Sequence, residues 1–116
     1  NIGSIYGVNS SDYRIYGKSG RNNSEVYSMS KSGVIMFSKY LAAHFASYNI
    51  QINTISPGGI EKSQDSEFIK NYNYKNPSKR MGKPKDLLPA LDFLLNENNE
   101  YTNGENLIID GGFTKW

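Results

Sequence analysis

The chain has 116 residues, of which 37% are hydrophobic and 21% charged, and its formal net charge is +2. A net charge this small gives no reason to expect a nucleic-acid partner. The absence of cysteine excludes disulfides, thiolate catalysis and cysteine-based zinc sites, and a single histidine argues against a histidine-rich metal centre, so no metal site is predicted.

Hydropathy predicts a soluble, cytoplasmic protein without a membrane partner. Mean hydropathy is −0.61, no apolar run approaches the ~20 residues that cross a bilayer, and no signal peptide is recognisable. Because a chain below ~150 residues buries a smaller share of its surface, a large core of its own is not expected. The sequence begins with Asn1 inside a strand-like segment, which predicts part of a longer chain.

The first half of the sequence predicts a strand end, a long loop and a helix. Residues 1–6 read as the tail of a buried strand, and the polar residues 7–23 as a loop. Ser24 is a suitable N-cap for a helix over residues 25–47. Apolar or small residues recur on two opposite faces of this helix, one containing Tyr27 and the other Met36. One face can cover a sheet and the other needs a second protein surface; burial within one larger domain is the alternative.

The second half predicts two further strands and a second main helix. Residues 50–55 alternate as a strand does, and a short helix is predicted near residues 65–74. Leucines at helical spacing mark the second main helix, namely Leu87, Leu91, Leu94 and Leu95. A final strand is predicted at residues 105–110. This alternation is typical of a parallel α/β sheet with crossover helices.

Tyr27 and Lys31 form the most informative pair in the sequence. On a helix, a spacing of four residues places both side chains on one face, one turn apart. A cation close to a phenol favours the phenolate form, which a tyrosine acting as acid and base requires. Because tyrosine and lysine also occur at this spacing by chance on solvated helices, the pair alone leaves both interpretations open.

Four blocks in this order resemble the C-terminal half of the short-chain dehydrogenase/reductases. They are a strand-end serine at Ser4, a YxxxK motif at Tyr27 and Lys31, an N-x-x-x-PG block from Asn53 to Gly58, and a terminal DGG from Asp110 to Gly112. A further likeness, in residues 4–7 and 56–60, is to the branch associated with bacterial surface-glycan and flagellin-sugar biosynthesis.

The resemblance implies a Rossmann-type doubly wound parallel sheet, with three strands and two main helices in these residues. Residues 1–116 would be the C-terminal catalytic part of a single domain. Nothing in the sequence matches the glycine-rich phosphate-binding turn of that fold. The half that binds the cofactor phosphates is therefore expected in sequence outside these residues.

The resemblance also implies hydride transfer between NAD or NADP and a carbonyl or alcohol substrate. Tyr27 would be the acid and base, Lys31 would favour its phenolate and hold the nicotinamide ribose, and Ser4 would bond the substrate oxygen. Backbone groups after the second strand would bind the nicotinamide carboxamide, although a plain turn is the alternative. The expected cofactor-binding residues are Tyr27, Lys31, Pro57, Gly58, Gly59 and Ile60.

The sequence departs from the family pattern in two places. Ser4 lies further before Tyr27 than is usual, which implies an insertion within residues 8–23. Ser4 is preferred to the other serines because it alone ends a strand-like segment, where site residues lie in open α/β sheets; an ordinary strand-end hydroxyl is the alternative. Lys62 stands where the family often has threonine, so a contact to the cofactor pyrophosphate would come from an ammonium charge.

Two charged segments are candidate ligand contacts. The inserted loop carries Tyr13, Arg14, Tyr16, Lys18 and Arg21, and a basic cluster consists of Lys75, Lys79, Arg80, Lys83 and Lys85. Either segment could border a pocket for a polar or anionic ligand, and an ordinary solvated loop is the alternative for each. The basic cluster lacks the interleaved aromatic residues of a nucleic-acid-binding surface, so nucleic-acid binding is the weakest interpretation.

The sequence therefore predicts a short-chain oxidoreductase that acts on a small carbonyl or alcohol compound, with sugar-derived substrates among the candidates. By itself the chain is expected to be inactive. The alternative is a non-catalytic binding or regulatory relative. By analogy with the family, a homodimer or homotetramer would form through helix 25–47 and strand 105–110.

Overall fold

A computed structural model describes all 116 residues and has an α/β architecture. Its order is α1 (Glu25–His44), β1 (Thr54–Pro57), α2 (Ser66–Lys75), α3 (Leu88–Leu95) and β2 (Asn106–Ile109). β1 and β2 pair in parallel, with Thr54 opposite Asn106 and Pro57 opposite Ile109. The predicted fold class, with its parallel pairing and crossover helices, is confirmed. No helix is both long enough and apolar enough to cross a membrane.

The first predicted strand is reduced to a single bridge. Ile2 pairs in parallel with Ile55, and the chain then turns into a 3-10 helix at Ile5–Gly7. The turn forms because the Ser4 hydroxyl accepts a hydrogen bond from the Tyr6 N–H. A serine that ends a strand therefore also caps the following turn, so the strand stops before residues 4–6.

The other two strands are also shorter than predicted. β1 begins at Thr54 because the backbone of Ile52 bonds the Asn103 side chain and the Gly104 N–H in place of a neighbouring strand. β2 covers four of the six residues predicted for the last strand. The register places the carboxyl ends of both strands side by side.

The helices follow their capping residues. The Ser24 side chain accepts a bond from the Val26 N–H at the start of α1, as predicted. α1 ends at His44, three residues earlier than predicted, and a 3-10 turn at Ala46–Tyr48 follows. Asp65 caps α2 through the Phe68 N–H, so the predicted short helix is confirmed.

The two faces of α1 have different surroundings. Ile35, Ser38 and Ala42 are buried on the inner face. Gly7 lies so close to this helix that an added Cβ would be 2.8 Å from the carbonyl carbon of Lys31. The second apolar face lies open, and Met36 at its centre is 65% exposed. The prediction of two apolar faces holds, with one of them uncovered in this chain.

The inserted loop contributes to the main core. Ile15, from a 3-10 turn at Tyr13–Tyr16, packs with residues from distant parts of the chain. The buried members of this cluster are Ile5, Ile15, Tyr72, Met81 and Phe113. The predicted loop at residues 7–23 is therefore anchored to the fold, and only part of it is a solvated surface.

Candidate functional site

Tyr27 and Lys31 share one face at the N-terminal end of α1, as their spacing predicts. The Lys31 ammonium lies 5.7 Å from the centre of the Tyr27 ring. The Lys31 Nζ also donates a hydrogen bond of 3.1 Å to the carbonyl oxygen of Ile2. This bond fixes the ammonium between the phenol and the strand end. Tyr27 is 41% exposed, so its ring is open to a ligand.

Ser4 lies directly beyond that strand end and is buried. Its Oγ accepts a bond of 3.2 Å from the Tyr6 N–H, and its own O–H has no acceptor in the structure. A hydroxyl with its acceptor side occupied and its hydrogen free is suited to donate to a ligand oxygen. No hydrogen bond joins Ser4 to Tyr27, so a ligand would have to connect the two hydroxyls.

Two further hydrogen bonds position α1 against the strand end. The Asn1 side chain donates to the Ser38 Oγ at 2.7 Å, and the Ser32 hydroxyl donates to the carbonyl oxygen of Gly7 at 2.9 Å. Together with the Lys31 bond, they connect two parts of the helix to residues 1–7, one at Lys31 and Ser32 and one further along at Ser38. The structure thus brings Ser4, Tyr27 and Lys31 into one region.

Residues 57–60, at the end of β1 and in the turn that follows it, are predicted to bind the cofactor carboxamide. The structure shows which of their N–H groups are free to do so. Pro57 has no N–H. The Gly58 N–H bonds the carbonyl oxygen of Ile109 at 2.9 Å, and the Gly59 N–H bonds the Tyr72 hydroxyl at 2.6 Å. The Ile60 N–H has no partner within the chain. Ile60 is therefore the residue of this turn whose amide can bind a ligand.

Two side chains order the segments beside this turn, and sequence reasoning missed one of them, Asn76. Asn76, which is buried, donates to the carbonyl oxygens of Arg80 and Asp110. The Asp110 carboxylate accepts bonds from the Gly112 and Thr114 amides. A pocket of about 280 Å³ lies here at the carboxyl ends of both strands. The Asp-Gly-Gly block pointed to this region, whereas the bond that joins Asn76 to it gave no sequence signal because Asp110 lies 34 residues away.

The basic cluster does not form one patch. Arg80 pairs with Asp86 at 2.6 Å, and the Arg80 hydrogen bond lowers the pKa of that carboxyl to about 2. Lys75 instead pairs with Asp12 of the inserted loop at 2.9 Å. The positive charges of residues 75–85 are therefore divided between two surfaces.

Tyr72→Phe tests whether Tyr72 holds the turn. Burial raises the pKa of this phenol, so it stays protonated while its oxygen accepts the Gly59 N–H. Removing that oxygen leaves the part-buried amide unpaired, which we expect to destabilise the fold by about 1–3 kcal/mol. Denaturant unfolding of the full-length protein measures the loss. Tyr74→Phe is the matched control because Tyr74 is 83% exposed, and equal stability of both variants would contradict this role.

Comparison with known proteins identifies relatives. The family model described as enoyl-(acyl carrier protein) reductase matches residues 3–114. D-arabinitol 2-dehydrogenase (ribulose-forming) of Candida albicans is 39% identical over 99 residues, which are 78% of this chain and 35% of that protein. Post-translational flagellin modification protein A of Campylobacter coli is 31% identical over 113 residues, which are 97% of this chain and 44% of that protein. The chain thus spans less than half the length of these relatives.

Solved structures share the fold. A short-chain dehydrogenase from Leptospira borgpetersenii, crystallised with NAD+, matches with a TM-score of 0.91 at 54% identity, over 98% of this chain and 43% of that chain. ElxO with NADP bound matches with a TM-score of 0.80 at 29% identity, over 100% of this chain and 46% of that chain. Both likenesses predicted from the sequence, to dehydrogenases and to a flagellin-modification protein, are therefore found among the relatives.

Proposed function

The chain belongs to the short-chain dehydrogenase/reductase family, and we propose that Tyr27, Lys31 and Ser4 are the catalytic residues of its oxidoreductase activity. The observation that supports this most directly is the placement of the Lys31 ammonium, 5.7 Å from the Tyr27 ring. The same ammonium bonds the strand end that leads into Ser4. On this proposal, a ligand oxygen would be met by the phenol and the Ser4 hydroxyl, with the ammonium beside the phenol.

Each residue has a definite task in carbonyl reduction. The nicotinamide, when bound, supplies the hydride that adds to the carbonyl carbon. Tyr27 gives its proton to the carbonyl oxygen, and the Lys31 ammonium stabilises the negative charge left on the phenol oxygen. Ser4 donates its free hydrogen to the same substrate oxygen as charge develops there. In alcohol oxidation Tyr27 takes the proton back.

The residues of the turn after β1 fit a nicotinamide cofactor. The Ile60 N–H is the donor available to the carboxamide, since Gly58 and Gly59 already bond Ile109 and Tyr72. Lys31 would hold the nicotinamide ribose in addition to its catalytic task. The proposal covers both NAD and NADP, because relatives with either cofactor share this fold. A cytoplasmic location, where these cofactors are supplied, belongs to the same proposal.

We infer that the cofactor phosphates are bound by a preceding N-terminal half. The free edge of the sheet, at Ile2, is bordered by an open groove with apolar side chains from both helix layers. These include Leu41 of α1 together with Leu91 and Leu94 of α3. Another strand beside Ile2 and helices above it would cover this groove. The share of each relative that the chain spans agrees with this arrangement.

The substrate proposed is a small carbonyl or alcohol compound of the sugar type, as the names of the relatives suggest. The test follows nicotinamide oxidation and reduction by the full-length protein with a panel of polyols and keto sugars. Turnover with one cofactor and a subset of the panel is expected. Tight cofactor binding without turnover of any compound would favour the alternative, a non-catalytic binding or regulatory relative.

Self-association through α1 and β2 is part of the proposal. The open face of α1 carries a row of apolar side chains, consisting of Val26, Met29, Met36, Phe37 and Tyr40. β2 has a neighbour on one side only, so its outer edge is also free. A contiguous apolar surface of this kind is typical of a protein–protein contact. A homodimer or a homotetramer would cover it.

Met36→Glu should weaken this assembly. A carboxylate placed at the centre of the apolar row would have to be desolvated in the contact, which strongly opposes association. Sedimentation should show a shift towards smaller species, with cofactor affinity unchanged. Lys70→Glu places the same charge on the exposed side of α2 and should leave assembly intact. An unchanged sedimentation profile for Met36→Glu would contradict the interface.

A further inference from the structure

A second cleft lies between the inserted loop and α2, apart from Ser4, Tyr27 and Lys31. Its volume is about 650 Å³, within the range of sites for small molecules. It brings together the inserted loop and part of the basic cluster, the two charged segments that the sequence indicates as candidate ligand contacts. Arg14 comes from the inserted loop, and Lys75 and Lys79 come from the end of α2 and the residues that follow it.

Asp12 arranges the positive charges of this cleft. Its nearly buried carboxylate accepts bonds from the Arg14 Nε and Nη2 at 2.8 and 2.9 Å and from the Lys75 Nζ at 2.9 Å. The Arg14 guanidinium in particular holds the pKa of Asp12 well below its usual range. Both carboxylate oxygens accept hydrogen bonds, so Asp12 holds Arg14 and Lys75 in place. One negative charge does not neutralise these two cations, and the cleft stays positively charged.

Donors remain free after these internal bonds. Arg14 uses one edge of its guanidinium for Asp12, and its remaining N–H groups are exposed. The Lys79 ammonium makes one bond, to the carbonyl oxygen of Tyr74 at 3.0 Å, and has two more hydrogens to donate. Three cations and one carboxylate leave a net charge of +2 in the cleft.

Two aromatic side chains border the same space. Tyr74 is 83% exposed and Trp116 is 72% exposed. The indole N–H of Trp116 donates to the carbonyl oxygen of Lys75 at 2.9 Å, which holds the ring against the end of α2. A held aromatic ring beside free cations offers both a flat packing surface and charged donors to one ligand.

We propose that this cleft binds a small phosphorylated molecule with a sugar ring. A phosphate monoester carries a charge of about −1.5 to −2 near pH 7, which matches the net charge of the cleft. Arg14 and Lys79 would donate to the phosphate oxygens, and Trp116 and Tyr74 would pack against the ring. The proposal does not depend on the oxidoreductase activity, because its readout is binding alone.

Isothermal titration calorimetry of the full-length protein with glucose 6-phosphate and with glucose tests this site. The reduced cofactor, NADH or NADPH, is kept saturating so that the phosphate cannot bind at the cofactor site and no sugar alcohol is oxidised during the titration. Glucose 6-phosphate should bind at least about tenfold more tightly than glucose, because charge-assisted hydrogen bonds form only with the phosphate. Equal affinity for the two compounds would overturn the proposal.

Three variants assign the binding to these residues. The double variant Arg14→Gln and Lys79→Gln should weaken glucose 6-phosphate binding by about tenfold or more. Asp12→Asn, which keeps an acceptor for the Arg14 N–H, should also weaken it, because the amide no longer holds the Arg14 and Lys75 cations in place. The control Lys39→Gln, on the far surface of α1, should change nothing. An unchanged affinity in the double variant, with its melting temperature intact, would also overturn the proposal.

Discussion

Tyr27→Phe should reduce turnover of the full-length enzyme by about a hundredfold to ten-thousandfold, the range that general acid–base catalysis contributes. The substitution removes a single oxygen from a side chain that is 41% exposed and makes no internal hydrogen bond through its hydroxyl. The fold should therefore be unaffected, and cofactor fluorescence titration should give nearly the same dissociation constant. Steady-state kinetics with the substrate from the sugar panel measures the loss.

Tyr101→Phe is the matched control for this experiment. Tyr101 is fully exposed, lies outside the proposed site and the proposed subunit contact, and loses the same atom. Its turnover should equal that of the unmodified protein. If Tyr27→Phe kept more than a few per cent of the activity, Tyr27 would not be the acid and base, and another residue would have to fill this role.

Lys31→Ala differs from Tyr27→Phe in what it removes. It takes away the ammonium 5.7 Å from the phenol ring, the proposed contact to the nicotinamide ribose, and the bond to the Ile2 carbonyl oxygen. Both turnover and cofactor affinity should therefore fall, whereas Tyr27→Phe affects turnover alone. This difference separates a residue that acts only on the proton from one that also holds the cofactor.

Sequence patterns could predict the parts of the fold and site that depend on neighbours along the chain. Ser24 signals the start of α1, and the spacing of Tyr27 and Lys31 is fixed once α1 is a helix. The predicted end of the first strand was wrong because the Ser4 hydroxyl accepts the Tyr6 N–H, which is then not available for pairing with another strand. A strand is predicted from its run of apolar residues, and such a run contains no information on a side-chain cap of this kind.

Contacts between distant residues could not be predicted in the same way. The Tyr72 hydroxyl accepts a hydrogen bond from the Gly59 amide. Lys75 forms an ion pair with Asp12, which lies 63 residues earlier in the sequence. Neither pair has a spacing rule, because each depends on how α2 packs against the inserted loop. The sequence showed two charged segments, and only the fold shows that they share a cleft.

The shape of the chain predicts that it does not fold stably when it is expressed alone. Only 15 of 116 residues are buried, and the radius of gyration is 15.6 Å, whereas a compact domain of this length has about 13 Å. α3 has no buried residue, although four of its eight residues are leucine. Apolar surface on α3, the open groove at Ile2 and a sheet with free edges all require a covering layer.

Expressed alone, the chain should therefore be aggregation-prone or melt without cooperativity, and it should bind no NAD(P)H. A version extended upstream should melt cooperatively and bind the cofactor. Leu91→Glu makes the comparison specific, because Leu91 borders the open groove. If the upstream half covers Leu91, the charge should destabilise the extended protein by several kcal/mol and leave the short chain almost unchanged. A soluble, cooperatively melting 116-residue product that binds NAD(P)H would show that the chain does not need an upstream half. An extended protein indifferent to Leu91→Glu would show that the upstream half does not pack on this groove.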